Sequence, residues 1–166
     1  MKQKRIFNSK PTQYRTMYAL LLVLSVLPLA AAYYLQKEFD LAPCPLCIAQ
    51  RYAFITLAIF ALLGLIIGRL QRWADGLAVL MGALGAGIAG YHLWILAHPS
   101  SECVKDSVEE WMNALPTARW FPDWFSASGS CTAHLPLVFG LQIPLWAFIG
   151  LLGVSFVWLG FVVKRR

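Results

Sequence analysis

Charged side chains are scarce in this chain. Of its 166 residues 13% are Asp, Glu, Lys or Arg, while 59% are hydrophobic; an ordinary globular domain carries about 25% charged residues. That shortage excludes a water-soluble fold, because a core of this size could not hide so much apolar surface, and the mean hydropathy is +0.62. Lipid is the solvent to expect. Acidic residues are scarcer than basic ones, 8 against 14, which leaves a net charge of +6. The excess does not point to nucleic acid, since ten of the fourteen basic residues fall in three short groups beside apolar runs: Lys2, Lys4, Arg5, Lys10 and Arg15; Arg69 and Arg72; and Lys164, Arg165 and Arg166. This is the pattern of loops retained in the cytoplasm, and no basic surface remains for a polyanion. Internal repeats and low-complexity tracts are also absent, so the chain reads as one membrane domain.

Four apolar runs are present, at about 17–35, 46–67, 76–97 and 144–163. Each is long enough to cross a hydrocarbon core of roughly 30 Å as a helix. The fold class expected is therefore an all-α bundle of four transmembrane helices. The positive groups place both termini and the Arg69 to Arg72 turn in the cytoplasm, with periplasmic loops at about 36–45 and 98–143. Ala30, Ala31 and Ala32 could end a signal peptide, but the run continues through Tyr33, Tyr34 and Leu35, so a retained helix is expected. Gly82, Ala86 and Gly90 give the third helix a small-residue spacing suited to close packing in lipid. In the long loop, Ser107 followed by Glu110, Trp111 and Met112 predicts a short capped helix. Trp111, Trp120, Phe121, Trp124 and Phe125 are expected to lie against the membrane surface.

The four cysteines, Cys44, Cys47, Cys103 and Cys131, all fall in or beside the two outer segments. Outside the inner membrane thiols meet an oxidising environment, so they are expected to pair. The run Pro43-Cys44-Pro45-Leu46-Cys47 leaves only two residues between its thiols. A disulfide that closes so short a loop contributes little stability, which favours redox chemistry over a structural cross-link. Pro45 suits the first turn of a helix, which sets Cys44 near the N-cap and Cys47 inside the opening turn. There the free N–H groups and helix dipole favour the thiolate, the species that attacks disulfides. Zinc would need Cys103, Cys131 or a histidine to complete a tetrahedral site, and the second cysteine pair lacks the two-residue spacing. Haem attachment is excluded because Ile48 follows Cys47 where histidine is required.

Arg51 lies inside the second apolar run, four residues after Cys47 and seven after Cys44, so all three share roughly one helical face. A buried cation in a membrane calls for an anionic or polar partner, unless it snorkels to the head-groups. His92 lies near the outer end of the third run. Both residues should sit about 8 to 9 Å below the outer surface, where two donors beside a reactive cysteine would suit the carbonyl oxygens of a quinone. A packing role is the plainer reading of His92.

Together Pro43-Cys44-Pro45-Leu46-Cys47 with Arg51, Tyr91-His92, Cys103, the runs Trp120-Phe121-Pro122 and Ala127-Ser128-Gly129-Ser130-Cys131, and Gly140 with Pro144 and Trp146 resemble the disulfide bond formation protein B family of inner-membrane thiol:quinone oxidoreductases. The resemblance covers nearly the whole chain. It implies a relay in which Cys103, paired with Cys131, is attacked by a reduced soluble thioredoxin-fold oxidase (DsbA-like) of the periplasm. Cys131 then exchanges with Cys44, and Cys47 is freed as the thiolate that meets quinone, ubiquinone or menaquinone, near Arg51, with His92 matching the family's histidine on the third helix. That periplasmic relay is itself the standing example of a thiol oxidant recharged by membrane quinone. Catalytic Cys44, Cys47, Cys103 and Cys131, quinone-binding Arg51, Cys47 and His92, and no metal are the expectations carried forward. A membrane scaffold or receptor with inert disulfides, and a specialised paralogue with a dedicated partner, stay open beside them.

Overall fold

The computed structural model describes residues 11–67, 71–98, 105–132 and 136–165. Four helices dominate it, α1 (Pro11–Glu38), α2 (Pro45–Ile66), α3 (Gln71–Ala97) and, last in the chain, α7 (Ile143–Arg165), all long and apolar enough to cross a membrane. The chain is a multi-pass membrane protein built as a four-helix bundle. Its outward faces carry residues such as Val23, Leu80, Leu84 and Phe156, all well exposed, as a lipid-facing surface requires. The helices outrun the apolar segments that mark them, most of all α1 and α3, whose polar ends add Gln13, Arg15, Lys37 and Glu38, and Gln71 and Arg72. Hydropathy senses only the hydrocarbon, while backbone hydrogen bonding continues into the interface.

Side by side, α1, α2, α3 and α7 form a ring in which α1 and α7 meet least closely. Small residues set the tight joints. A Cβ on Gly82 would overlap the Ser155 hydroxyl of α7, and one on Gly85 would overlap the Ala53 methyl of α2. Gly82 and Ala86 are buried as their spacing predicts, whereas Gly90 packs more loosely on Phe148 and Gly85 is the additional close approach. At the end of the bundle where α1 begins and α7 finishes, buried Asp75 accepts hydrogen bonds on one oxygen from Tyr18 Oη (2.8 Å) and Trp158 Nε1 (2.9 Å). This polar tie joins three helices and satisfies groups that would each cost several kcal/mol unpaired in lipid.

At the opposite end α1 stops in a left-handed turn at Asp40 (φ 46°), with Leu41 N–H donating to the Gln36 carbonyl, and the chain enters α2 at once. Between α3 and α7 lie three short helices, α4 (Lys105–Ala114), α5 (Pro116–Trp120) and α6 (Pro122–Phe125), and a hairpin of β1 (Leu137–Val138) and β2 (Leu141–Gln142). α4 begins two residues before Ser107, which therefore lies in its first turn and not at its cap. Phe139 (φ 51°) and Gly140 (φ 79°) form the two-residue turn of the hairpin, a conformation in which glycine removes the strain at the second position. Trp111, Trp120 and Phe121 are exposed, whereas Trp124 and Phe125 are half-buried. Trp124 stacks on Tyr33 of α1 (4.7 Å between centroids) and Phe125 on Tyr52 of α2 (5.0 Å), because α6 packs onto the bundle and brings aromatic partners within reach.

Candidate functional site

The cysteines gather where α2 begins. Pro45 occupies the first helical turn and Cys44 is the N-cap, with extended backbone (φ −82°, ψ 162°), so that its sulfur accepts from the Cys47 amide at 3.3 Å. A second free amide of that turn, Leu46 N–H, is directed to the sulfur of Cys131. Two sulfurs thus serve groups that a helix N-terminus leaves unpaired. The Cys44 thiol also donates to Cys47 Sγ at 3.0 Å, and Cys131 packs into the same buried cluster. All three described cysteines are free thiols here. Cys103 lies outside the described residues.

The segment before Cys131 is fastened to the start of α2 by backbone alone. Ser128 and Gly129 N–H groups both donate to the Pro43 carbonyl at 3.1 Å. Gly129 sits directly on the carbonyl of Ala42, where any Cβ would collide, so this position requires glycine. Asn113 of α4 holds the same segment from its other side, exchanging two 2.8 Å hydrogen bonds with the backbone of Ala127.

Electrostatics in the cluster follow from these contacts. The hydrogen bond from Cys44 pulls the Cys131 thiol down to about 6, against the opposing effect of burial, with the Leu46 amide adding to the stabilisation of its thiolate. Cys44 moves the other way, held protonated by its hydrogen bonds to Cys131 and Cys47 and by burial. The thiol that donates is thereby distinguished from the two that receive.

Arg51, 7% exposed, is not snorkelling. Its guanidinium donates to Gln36 Oε1 of α1 (2.7 Å) and to the Trp124 carbonyl of α6 (2.8 Å). Gln36 in turn donates to the Asp123 carbonyl, and Lys37 pairs with the Asp123 carboxylate at 2.8 Å. Arg51 therefore pins α6 across α1 and α2, yet both its partners are neutral oxygens, and no carboxylate neutralises it among the described residues.

Beside this array lies a cavity of about 490 Å³, between α1 and α7 and next to the start of α2. Leu27, Phe54, Val138 and Trp146 are among the residues that give it apolar walls, and Cys44, Cys47, Gln50 and Arg51 line it as well. His92 is placed otherwise than its depth implied. Fully buried, it does not line the cavity but sits behind Cys44, its Nε2 3.8 Å from Cys44 Sγ and 3.2 Å from the Cys131 carbonyl, its Nδ1 3.3 Å from the Gln50 amide. Equal depth along two helices does not give equal facing, and α3 turns this side chain inward. Gln36, Gln50, Asn113 and Trp124 are the site residues that motif reasoning missed; isolated amides at the ends of apolar helices were the available signal for the two glutamines.

Chemically, the arrangement lets thiol–disulfide exchange pass electrons from Cys131 to Cys44 and Cys47 without large movement, and Cys47 lines an apolar chamber. It also brings Cys44 Sγ, Cys47 Sγ and a His92 ring nitrogen within 4.8 Å of one another, near enough to share a metal ion.

Residues 14–161 match the family model for the disulfide bond formation protein DsbB. Curated relatives called disulfide bond formation protein B include one from Ralstonia nicotianae, 38% identical over 92% of this chain and 96% of its own length, and one from Cupriavidus metallidurans, 43% identical over 83% and 86%. Another, disulfide bond formation protein B 1 of Pseudomonas syringae, is 45% identical over 76% of this chain and 78% of its own. With a family model spanning all four long helices and relatives at this identity over most of both chains, the protein belongs to the disulfide bond formation protein B family.

Proposed function

We propose that the chain is a thiol:quinone oxidoreductase of the bacterial inner membrane, which reoxidises a periplasmic thioredoxin-fold dithiol protein and passes the electrons to membrane quinone. The observation that carries this reading is the apolar cavity between α1 and α7, with Cys47 in its wall beside the Arg51 cation, which donates to the neutral oxygens of Gln36 and Trp124. The residues present fit such a head-group. Flat apolar surfaces are supplied by Phe54 and Trp146, and polar groups are confined to the side where Gln50 and Arg51 stand. The chamber lies where α1 and α7 meet least closely, and an isoprenoid chain would leave it between them. A quinone held there accepts two electrons and two protons.

The protein's own residues account for the rest. A partner dithiol attacks the Cys103–Cys131 disulfide through a mixed disulfide on Cys103, leaving as a disulfide and giving up two electrons and two protons to that pair. Cys131, favoured as thiolate by the Cys44 hydrogen bond and the Leu46 amide, attacks Cys44 of an oxidised Cys44–Cys47 pair; the Cys103–Cys131 disulfide then reforms and Cys44 and Cys47 hold the electrons. Arg51, one helical turn from Cys47, favours the anionic sulfur that faces the cavity. His92, between Cys44 and the Cys131 carbonyl, is placed to hold a proton as Cys44 changes from disulfide to thiol. The net exchange is one partner disulfide and one quinol for one partner dithiol and one quinone.

A photoreactive quinone analogue tests the cavity assignment. Labelling should concentrate on Leu27 to Leu35 of α1 and Trp146 to Gly150 of α7, and excess quinone should compete it away. Labelling spread over the lipid-facing sides of α2 and α3 would remove the cavity from the account.

A further inference from the structure

Three ligands for a soft cation meet at the start of α2, although the sequence spacing supplies only two, and a third cysteine is packed beside them. Cys44 Sγ, Cys47 Sγ and a ring nitrogen of His92 lie within 4.8 Å of one another, and Cys131 belongs to the same buried cluster, from which it has to close in to become the fourth ligand. We propose that in the fully reduced protein Cys44, Cys47, Cys131 and His92 form a tetrahedral site for one thiophilic divalent cation of the zinc and cadmium type, and that filling this site halts thiol exchange.

The geometry is close to what such an ion demands. With metal–sulfur bonds of about 2.3 Å and metal–nitrogen bonds of about 2.0 Å, tetrahedral ligands are separated by roughly 3.8 Å for two sulfurs and 3.5 Å for sulfur and nitrogen. Here Cys44 Sγ is 3.0 Å from Cys47 Sγ and 3.8 Å from His92 Nε2, so the two thiols need only part slightly to admit an ion. The outer shell is also in place. Metal-bound histidines characteristically donate their other ring N–H to a fixed acceptor. Gln50 stands 3.3 Å from His92 Nδ1, and rotation of its amide presents the oxygen to an Nδ1–H while Nε2 turns to the metal. The Cys47 amide already donates to the Cys44 sulfur. Three thiolates on a divalent ion leave one negative charge, with the Arg51 cation one turn along α2.

No electron moves on binding. Three thiols release three protons and form three metal–sulfur bonds, so affinity rises with pH. A Cys44–Cys47 disulfide removes two of the four ligands, and binding is therefore restricted to the reduced state. The block on exchange rests on the oxidoreductase reading, but the site itself does not, and zinc binding is measured without quinone or partner.

The test is an anaerobic titration of the full-length reduced protein in detergent with zinc(II), in competition with a chromophoric chelator. One zinc per chain is expected, with none retained by protein in which Cys44 and Cys47 are oxidised. Cys131→Ser and His92→Gln should each weaken binding by at least about 100-fold, and Gln50→Ala by the roughly 10- to 100-fold that outer-shell partners contribute. Cys103→Ser should retain the site. Unchanged affinity in Cys131→Ser and His92→Gln chains of native helical content, or equal zinc in the oxidised protein, overturns the proposal. Should those variants unfold, cobalt(II) in the intact chain decides, since a tetrahedral thiolate spectrum supports the site and an octahedral one refutes it.

Discussion

Gly129 rests on the carbonyl of Ala42 with no room for a side chain between them, and this backbone contact places Cys131 beside Cys44. The two cysteines are 87 residues apart in sequence. Their meeting is held by a glycine, two amides on the Pro43 carbonyl, the Asn113 clip and the His92 ring beside the Cys131 carbonyl.

Replacement of Gly129 by alanine should therefore uncouple the two halves of the relay. Transfer from Cys131 to the Cys44–Cys47 pair is expected to slow at least tenfold, while the reduced Cys44–Cys47 pair is reoxidised by quinone at its normal rate. Single-turnover quench with a thiol-alkylating reagent separates the two steps. Equal slowing of both would mean that the contact does not serve transfer between pairs.

The four spans and the N-terminal position of the Cys44–Cys47 motif were legible in the sequence, because twenty-residue apolar runs and a proline one residue after Cys44 are local signals. The clamp was not. Gly129 reads as one more loop glycine, and α5, α6 and the hairpin are too short for periodicity to show, even though Pro116, Pro122 and Gly140 mark their starts and turn. Arg51 was legible as a buried cation, but its neutral partners come from α1 and α6, and His92 could be given a depth but not a facing.

Arg51 carries both a charge and a fork. Lysine keeps the charge but cannot bridge the Gln36 amide oxygen and the Trp124 carbonyl in the same way. Arg51→Ala should raise the KM for quinone by about 10- to 100-fold and loosen α6, and Arg51→Lys should fall between alanine and the native chain. Steady-state quinone reduction, with Trp124 fluorescence read in a background from which the other tryptophans are removed, distinguishes loss of charge from loss of docking.

In the reduced protein Cys131 should be alkylated with a pH midpoint near 6, because the Cys44 hydrogen bond is the largest influence on its thiolate. A depressed pKa means that reactivity is near its plateau at neutral pH and is lost as the pH falls through about 6. Cys44→Ser replaces the thiol donor with a hydroxyl, and Cys44→Ala removes it altogether, so the midpoint should rise toward the ordinary cysteine range in the alanine variant. Peptide mapping after timed alkylation reads this directly; an alanine variant whose midpoint stays near 6 would transfer the effect to the Leu46 amide.

At the far end of the bundle, Asp75→Ala would remove the oxygen to which the Tyr18 hydroxyl and Trp158 indole both donate. A loss of roughly 1–3 kcal/mol is expected from removing this buried acceptor. Asp75→Asn, which keeps a carbonyl oxygen, should lose less. Thermal unfolding in detergent gives the comparison, and turnover well below the transition should be nearly native in both, since this tie is remote from the cysteines.

The most direct test is quinone reduction by the purified protein supplied with a reduced thioredoxin-fold dithiol, for the intact chain beside Cys47→Ser and Cys103→Ser. Sustained turnover in the intact chain and its loss in both variants is the predicted result; no turnover in the intact, quinone-replete protein, or turnover retained in the variants, would contradict the relay.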